Sequence, residues 1–188
     1  MRLGRDKASA ELGGKTLLQI AVDNLEPLWH EITVVAAPDQ SLPEIKSQAR
    51  LSVVRDIVPG KGPLIGIYTG LKNSTSRSSF VVACDMPLLK RTVIRYLVDL
   101  AANYDIVIPV TEKGVEPLLA VYSRNCTGPI ETLVGSGRYK IDMLFELVEV
   151  RYVKESEIKR LDPEGLSFFN INTAADLEKA AGLFEAKR

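Results

Sequence analysis

Residues 80–87 read FVVACDMP, a short apolar run that ends in a carboxylate, a methionine and a proline. An apolar run this short and rich in β-branched residues is typical of a strand buried on both faces of a parallel sheet. Asp85 would then lie just beyond the carboxyl end of a buried strand, where open α/β sheets bind their ligands. Pro87 cannot donate to a sheet ladder, so it helps to end the strand. The segment predicts an α/β fold with Asp85 at its functional edge.

The alternation of short apolar runs with longer amphipathic segments extends in both directions from this strand. Helical periodicity covers two stretches, 17–28 and 92–102. A last helix is predicted from Ala174, with Thr173 as its cap and Asp176 in its first turn. The other short apolar stretches that we predict as strands are 32–36, 51–54, 106–110, 118–122 and 148–153. The pattern is typical of a layered α/β fold with a mostly parallel sheet, and we expect residues 1–188 to form one domain.

Bulk composition limits the classes of protein to which the chain can belong. It has 24 basic and 24 acidic residues among 188, so its formal net charge is zero. A nucleic-acid binder or a protein of anionic membrane surfaces relies on excess positive charge, and we expect neither partner here. No apolar run approaches the roughly 20 residues that cross a bilayer, and the first residues lack the apolar stretch of a secretory signal. With two cysteines and no CxxC pair, the composition favours the cytoplasm.

The position of Asp85 after a buried strand admits two interpretations. Its carboxylate could bind a hard cation such as Mg²⁺ that bridges phosphate oxygens. It could equally cap the helix near Thr92, or turn the chain without binding anything. The position alone favours neither interpretation.

A glycine-rich loop follows the predicted strand at 51–54. Gly60 and Gly62 stand just before a helical run, an arrangement in which backbone N–H groups can approach an anion or a ribose closely. With Gly66 the loop spells GxGxxxG, a variant of the dinucleotide fingerprint, so an NAD(P)-binding domain is a competing interpretation. Two details count against it. Residues 56–59 separate the strand from the first glycine, and the acidic residue about 20 positions further on leads into Met-Pro.

Two polar groups near the ends of the chain could also contact phosphates. Arg2, Arg5 and Lys7 lie close together beside Gly4. Such a cluster can gather polyphosphate oxygens, although a solvated basic terminus is the ordinary alternative. Asn170 and Asn172 precede the last helix. Their amide oxygens could complete a Mg²⁺ shell, or the segment could serve only to cap the helix.

Five segments, taken in order, resemble the molybdenum cofactor guanylyltransferases and their close nucleotidyltransferase relatives. The stretches that carry the resemblance are RLGRDKA (2–8), Asp56 with GKGPLIG (60–66), CDMP (84–87), EPLLAVY (116–122) and NINT (170–173). They are similar to the family patterns R-M-G-x-D-K-A, D…GxGPLxG, CDMP, x-P-L-x-A-x-Y and N-(I/V)-N-T. Each motif is short, but five in the correct order span nearly the whole chain.

The resemblance implies a three-layer Rossmann-like nucleotidyltransferase fold. It also implies the transfer of GMP from Mg·GTP to the phosphate of molybdopterin, with release of pyrophosphate. Asp85 would bind Mg²⁺, the implied cofactor, and would act in catalysis together with Lys7. Asn170 and Asn172 would bind the pterin substrate near the metal. The nucleotide-binding residues implied by the motifs are Arg2, Gly4, Lys7, Asp56, Gly60 and Gly62. Other proteins of molybdenum cofactor biosynthesis are the partners that the resemblance suggests.

The nucleotide and the acceptor stay open at this point. Cytidylyl transfer to the same cofactor, or to a sugar or polyol phosphate, would share both the fold and the metal. A module that binds a nucleotide or a partner protein without catalysis is the alternative from a different functional class.

One part of the family pattern has no counterpart in the sequence. The family begins with a strand and a glycine-rich loop, L-A-G-G-x-S-x, directly before the segment that resembles residues 2–8. That strand would lie in the middle of the sheet, so its absence predicts unpaired ladder groups on both neighbouring strands and an opening in the core. We therefore interpret the sequence as N-terminally truncated and expect the phosphate-binding loop upstream of Met1.

Overall fold

The computed structural model describes residues 7–56, 58 and 60–185. The strands, in chain order, are β1 (Glu11–Leu12), β2 (Lys15–Thr16), β3 (Glu31–Ala36), β4 (Arg50–Arg55), β5 (Ser78–Val82), β6 (Ile106–Thr111), β7 (Gly114–Val115), β8 (Leu119–Ser123) and β9 (Val150–Lys154). The helices are α1 (Leu17–Leu25), α2 (Pro63–Asn73), α3 (Arg91–Asp99), α4 (Thr127–Gly135), α5 (Asp142–Phe145), α6 (Glu155–Ile158) and α7 (Ala174–Glu185).

The central sheet contains β5, β8, β6 and β7 in that order, with β9 also paired to β6. β8 runs antiparallel to both β5 and β6, so β5 and β6 point the same way, and β9 is parallel to β6. β3 and β4 form a separate parallel pair, in register from Glu31 opposite Arg50 to Ala36 opposite Arg55. The predicted α/β fold with a mostly parallel sheet is confirmed. β8 is the reversed strand because its connection from β6 is too short for a parallel crossover.

Helices cover both faces of the central sheet, which gives the predicted three layers. Ile106 and Ile108 of β6 pack on one face with residues of α2 and α4. Val107, between them, packs on the other face with residues of α3 and with Ile158 of α6. Successive side chains of a strand point to opposite faces, so the continuous apolar run of β6 fills two core clusters at once.

An open cavity of about 510 Å³ separates the β3–β4 pair from the central sheet. β3 lines one wall and β5 the opposite wall, while α1 and α2 line the other two sides. In the described residues, β3 hydrogen-bonds only to β4 and β5 only to β8, so each has one strand edge that faces the cavity. We call this cavity the slot. The slot lies where the resemblance predicts an additional strand. Truncation of the sequence stays a prediction, and so does the formation of one domain by residues 1–188.

The helices differ from the sequence predictions mainly at their ends. The stretch predicted at 17–28 ends as a helix at Leu25, and the one at 92–102 ends at Asp99 before a short 3₁₀ turn. α4 was not predicted because Gly128 and Pro129 interrupt its pattern, although proline is tolerated in the first helical turn. No helix within the described ranges is long and apolar enough to cross a membrane.

Candidate active site

Three residues from distant parts of the chain meet at one point. The Lys7 ammonium donates to Asp85 Oδ2 at 2.7 Å and to Asn172 Oδ1 at 2.6 Å. The Lys7 side chain is 30% exposed and the Asp85 side chain 16%, so the ion pair remains accessible from solvent. The structure thus brings together three of the residues that the sequence motifs selected.

Asp85 is positioned through its backbone as well as its side chain. β5 ends at Val82, and the chain continues through Asp85 into a loop that leads to α3. The N–H of Ile171 donates to the Asp85 carbonyl at 2.9 Å, which ties this loop to the segment before α7. α3 has Lys90 at its N-cap position and receives no side-chain capping bond. The interpretation of Asp85 as a helix cap is therefore wrong.

Asn172 is positioned by the start of α7. Asp176 Oδ2 accepts hydrogen bonds from the backbone N–H groups of Asn172 at 3.0 Å and Thr173 at 2.8 Å. Thr173 Oγ1 in turn accepts from the N–H of Asp176 at 3.1 Å, a reciprocal capping arrangement. These bonds, first the one from the Asn172 backbone, lower the pKa of Asp176. Capping is thus done by Thr173 and Asp176, which leaves the Asn172 amide directed at Lys7.

A second polar group stands at the carboxyl end of β4. The backbone N–H of Asp56 donates to the Ala36 carbonyl at 2.8 Å, and Thr69 of α2 donates to Asp56 Oδ1 at 3.2 Å. Gly60 and Gly62 have φ values of +74° and +86°, a region that side chains with a Cβ rarely adopt. Gly62 is the N-cap residue of α2, so this loop delivers the chain to a helix whose first N–H groups are open.

The slot connects these two groups. Asp56 and Gly62 line it together with Ala8 and Asp85, so the carboxyl ends of β4 and β5 open into the same cavity. Asn170 is half-buried and lies two residues before Asn172. The predicted nucleotide-binding residues Arg2 and Gly4 lie outside the described residues.

One ion pair next to this site was not predicted from the sequence. Asp162 is fully buried and pairs with Lys90 at 2.8 Å, at the end of the loop that begins with Asp85. The backbone N–H of Ser167 donates to the same carboxylate at 2.7 Å. Lys90 and Asp162 are far apart in sequence, and no motif or spacing links them.

The oxygens at this point suit a hard divalent cation. The Lys7 ammonium, itself a cation, is held by one carboxylate oxygen and one amide oxygen. No group of three or more His, Cys, Asp or Glu side chains suited to a metal occurs in the part of the chain that the structure describes. Mg²⁺ is commonly bound through one or two carboxylates, several waters and substrate phosphates, so the residues present fit an ion that arrives with a nucleotide.

Comparison with known proteins gives a consistent assignment. Residues 1–151 match the family model described as a MobA-like NTP transferase domain. A protein of Desulfosudis oleivorans named molybdenum cofactor guanylyltransferase is 34% identical over 186 residues, which cover 98% of this chain and 90% of that protein.

Two solved structures agree with the fold. Molybdopterin-guanine dinucleotide biosynthesis protein A from Archaeoglobus fulgidus superposes with a TM-score of 0.80 at 28% identity, over 98% of this chain and 93% of that one. The 2-C-methyl-D-erythritol 4-phosphate cytidylyltransferase of Thermus thermophilus gives a TM-score of 0.74 at 15% identity, over 95% and 93% of the two chains. At that identity the second likeness concerns the fold alone.

Proposed function

The chain belongs to the MobA-like NTP transferase family, and from this premise we propose that it is a molybdenum cofactor guanylyltransferase. It transfers the GMP group of GTP to the phosphate of molybdopterin and releases pyrophosphate. The observation that carries the proposal is the convergence of Lys7, Asp85 and Asn172 at the strand edge where such folds bind nucleotides.

The chemistry requires alignment and charge neutralisation more than proton transfer. An oxygen of the molybdopterin phosphate attacks the α-phosphorus of GTP and forms a new P–O bond. The bond from the α-phosphorus to the bridging oxygen breaks, and the electron pair leaves with pyrophosphate. The attacking group is already ionised, so no strong general base is needed. Holding two anions in line and offsetting the charge on the phosphoryl oxygens supplies most of the catalysis.

Lys7 and Asp85 divide this work. Asp85, with the amide oxygen of Asn172 close to it, would hold Mg²⁺, which when bound neutralises charge on the phosphate oxygens. Lys7 already lies between these two oxygens and would turn its ammonium to the triphosphate when the nucleotide enters. Asn170 and Asn172 would contact the pterin substrate from the same segment.

The loop after β4 would bind the nucleoside. Asp56 is held from two sides, by the β3 backbone and by Thr69, so its carboxylate is oriented before a ligand arrives. Gly60 and Gly62 allow close approach of the backbone to a ribose or a base. Arg2 and Gly4, with Lys7, complete the proposed set of nucleotide contacts.

The slot carries a proposal about the complete fold. One further apolar strand, placed before Lys7 in the chain, would pair with the facing edges of β3 and β5 and deliver a glycine-rich loop to the phosphates. Apolar residues such as Leu18 and Ile67, on helices at opposite sides of the slot, would cover such a strand on both faces. Intact-mass measurement of the protein from its native source tests this. Extra residues upstream of Met1 support it, whereas an N-terminus at Met1 contradicts it.

Nucleotide choice is the direct test of the proposed activity. Titration of the native protein with Mg·GTP and Mg·CTP, in the presence of molybdopterin, should give binding and pyrophosphate release with GTP. Preference for CTP would instead support cytidylyl transfer. Binding of neither nucleotide would support a module without catalysis. A cytoplasmic location and contacts with other proteins of molybdenum cofactor biosynthesis are part of the same proposal and rest on composition and family.

A further inference from the structure

Two segments outside the sheets and α-helices run side by side next to the proposed metal ligand. One is the loop 85–90, and the other is the segment 167–172, which carries Asn170 and Asn172. The Ile171 N–H donates to the Asp85 carbonyl at one end of the contact. At the other end the Lys90 N–H donates to Ser167 Oγ at 3.1 Å. Neither segment belongs to a sheet, so isolated hydrogen bonds of this kind set their relative position.

The buried carboxylate of Asp162 binds to both residues, Lys90 and Ser167, at the second end of this contact. The Asp162 side chain is 0% exposed; its Oδ1 lies 2.8 Å from the Lys90 ammonium, and its Oδ2 accepts the Ser167 N–H. Among the described residues Oδ1 accepts no regular hydrogen bond, so the ammonium alone balances its charge. Lys90 is therefore fixed through its backbone and through its side chain, and both bonds lead to residues 162–167.

Stability by itself does not account for such a group. The cost of removing two charges from water offsets much of their attraction, and apolar residues of similar volume often serve the stability of a protein equally well. What a buried, directional ion pair adds is a unique relative position of the elements that it joins. Here those elements are the loop that carries Asp85 and the segment that carries Asn172.

We propose that Lys90, Asp162 and Ser167 form a positioning clamp that sets Asn172 against Asp85 and so fixes the site of the cation and the triphosphate. The clamp residues touch no reacting atom in this arrangement. They act through Ile171, whose buried N–H joins the two segments, and through Asn172 beside it. The catalytic part of this inference rests on the proposed function; the structural part does not.

Hydrogen exchange at the Ile171 amide tests the clamp without any substrate. In Asp162→Asn the carboxylate charge is lost while the side-chain shape is retained, and Ser167→Ala removes only the hydroxyl. In both variants we expect the Ile171 amide to exchange about tenfold faster, as for the loss of one hydrogen bond, while the amides of β6 keep their rates. Glu131→Gln, which breaks an ion pair on the surface between α2 and α4, is the matched control and should leave Ile171 unchanged.

Turnover of the same variants separates positioning from folding. We expect kcat to fall about tenfold with the KM for GTP little changed, because a small misplacement affects the transition state more than binding. Lys90→Arg, which keeps the charge, should restore most of the rate that Lys90→Met loses.

Two outcomes would overturn the clamp: an Ile171 amide that exchanges at the wild-type rate in both variants, or a uniform acceleration of all amides that reports only lower global stability. If wild-type protein transfers no nucleotide but the exchange result holds, the proposed function fails and the clamp stands.

Discussion

The two sides of the Asp85 loop are built in opposite ways. Toward β3, the strand that leads to Asp85 faces an open cavity and has an edge with no partner strand in the described residues. Toward α7, the same loop is held by two bonds: the Ile171 N–H donates to the Asp85 carbonyl, and the Lys90 N–H donates to Ser167 Oγ. The Asn24 side chain of α1 also donates to the Leu89 carbonyl at 2.7 Å.

The difference shows which side sets the geometry of the site. Lys7, Asp85 and Asn172 converge although the slot is open, so their arrangement depends on the bonded side. The slot is the side on which we propose that a further strand lies, followed by the loop that binds phosphate. The geometry of the catalytic residues thus depends on the hydrogen bonds toward α7, whereas phosphate binding depends on the slot.

Replacement of Asp85 should have the largest effect, because this residue joins the two sides. In Asp85→Ala we expect turnover to fall by about 10²–10³-fold, as for the loss of a main electrostatic contact in an active site. The unfolding midpoint should change little, since the Asp85 carboxylate pairs with a partly exposed lysine and contributes little apolar packing. Steady-state rates of pyrophosphate release and a thermal melt measure the two effects.

Asp99→Ala is the matched control, since Asp99 is an exposed carboxylate at the end of α3. It should retain the wild-type rate. A wild-type rate in Asp85→Ala as well would remove Asp85 from the mechanism.

Breaking the buried Lys90–Asp162 ion pair should lower stability more than breaking an exposed ion pair elsewhere in the molecule. Lys90→Met leaves the buried Asp162 carboxylate without its cation, which should lower the free energy of unfolding by about 3 kcal/mol. Glu131→Gln breaks the exposed pair with Lys72 and should change stability little. Urea unfolding of both variants provides the comparison. Equal effects would mean that burial of Asp162 has no energetic consequence.

The same ion pair predicts a pH dependence. Burial alone would raise the pKa of Asp162, but its close contact with the Lys90 ammonium and its hydrogen bonding with Ser167 outweigh burial and lower the pKa. A carboxyl whose pKa is lowered by folding stabilises the protein above its ordinary value of about 3.9, and this contribution disappears as the pH falls through the lowered value. The stability difference between wild type and Asp162→Asn should therefore be large at neutral pH and shrink below about pH 4. A difference that grows toward acid pH would contradict this assignment.

The smallest predicted effect is a stability change at Gly66, which tests whether a strand fills the slot. Gly66 lies in α2, lines the slot and has nothing within 4 Å of an added Cβ. Gly66→Ala should therefore stabilise the protein with an open slot by about 0.5–1 kcal/mol through helix propensity alone. In a protein whose slot is filled by a strand, the added methyl would meet that strand and the gain should be smaller.

Gly182 of α7 provides the control for this comparison, because it too has open space around it and lies away from the slot. Gly182→Ala should give the same gain in both forms of the protein. If Gly66→Ala also gives equal gains in both forms, no strand occupies the slot.

Much of this architecture was predictable because it follows from local pattern. The apolar runs located β3, β4, β5 and β6 to within two residues. The rule that open sheets bind ligands beyond the carboxyl ends of their strands selected Asp85 as a candidate, whereas Asp56 came from the family resemblance. Thr173 and Asp176 were recognised from cap chemistry.

What the sequence did not reveal depends on contacts between distant residues. Lys90 and Asp162 become partners only after α3 and the end of α6 are packed, and an isolated aspartate in a polar stretch carries no sign of full burial. The turn of the Asn172 amide toward Lys7 also follows from tertiary packing, since the sequence allowed a cap equally well. Such contacts are fixed by the fold as a whole and leave no periodic signal.

Guanylyl transfer at Asp85 can be observed directly by following the α-phosphate of GTP. The native protein would be incubated with molybdopterin, Mg²⁺ and GTP labelled at the α-phosphorus, and the products separated by chromatography. We expect label in a molybdopterin dinucleotide with wild type, and about 10²–10³-fold slower formation of that product with Asp85→Ala. Label that stays in GTP or appears as free GMP, or equal product from the Asp85→Ala variant, would contradict guanylyl transfer at Asp85.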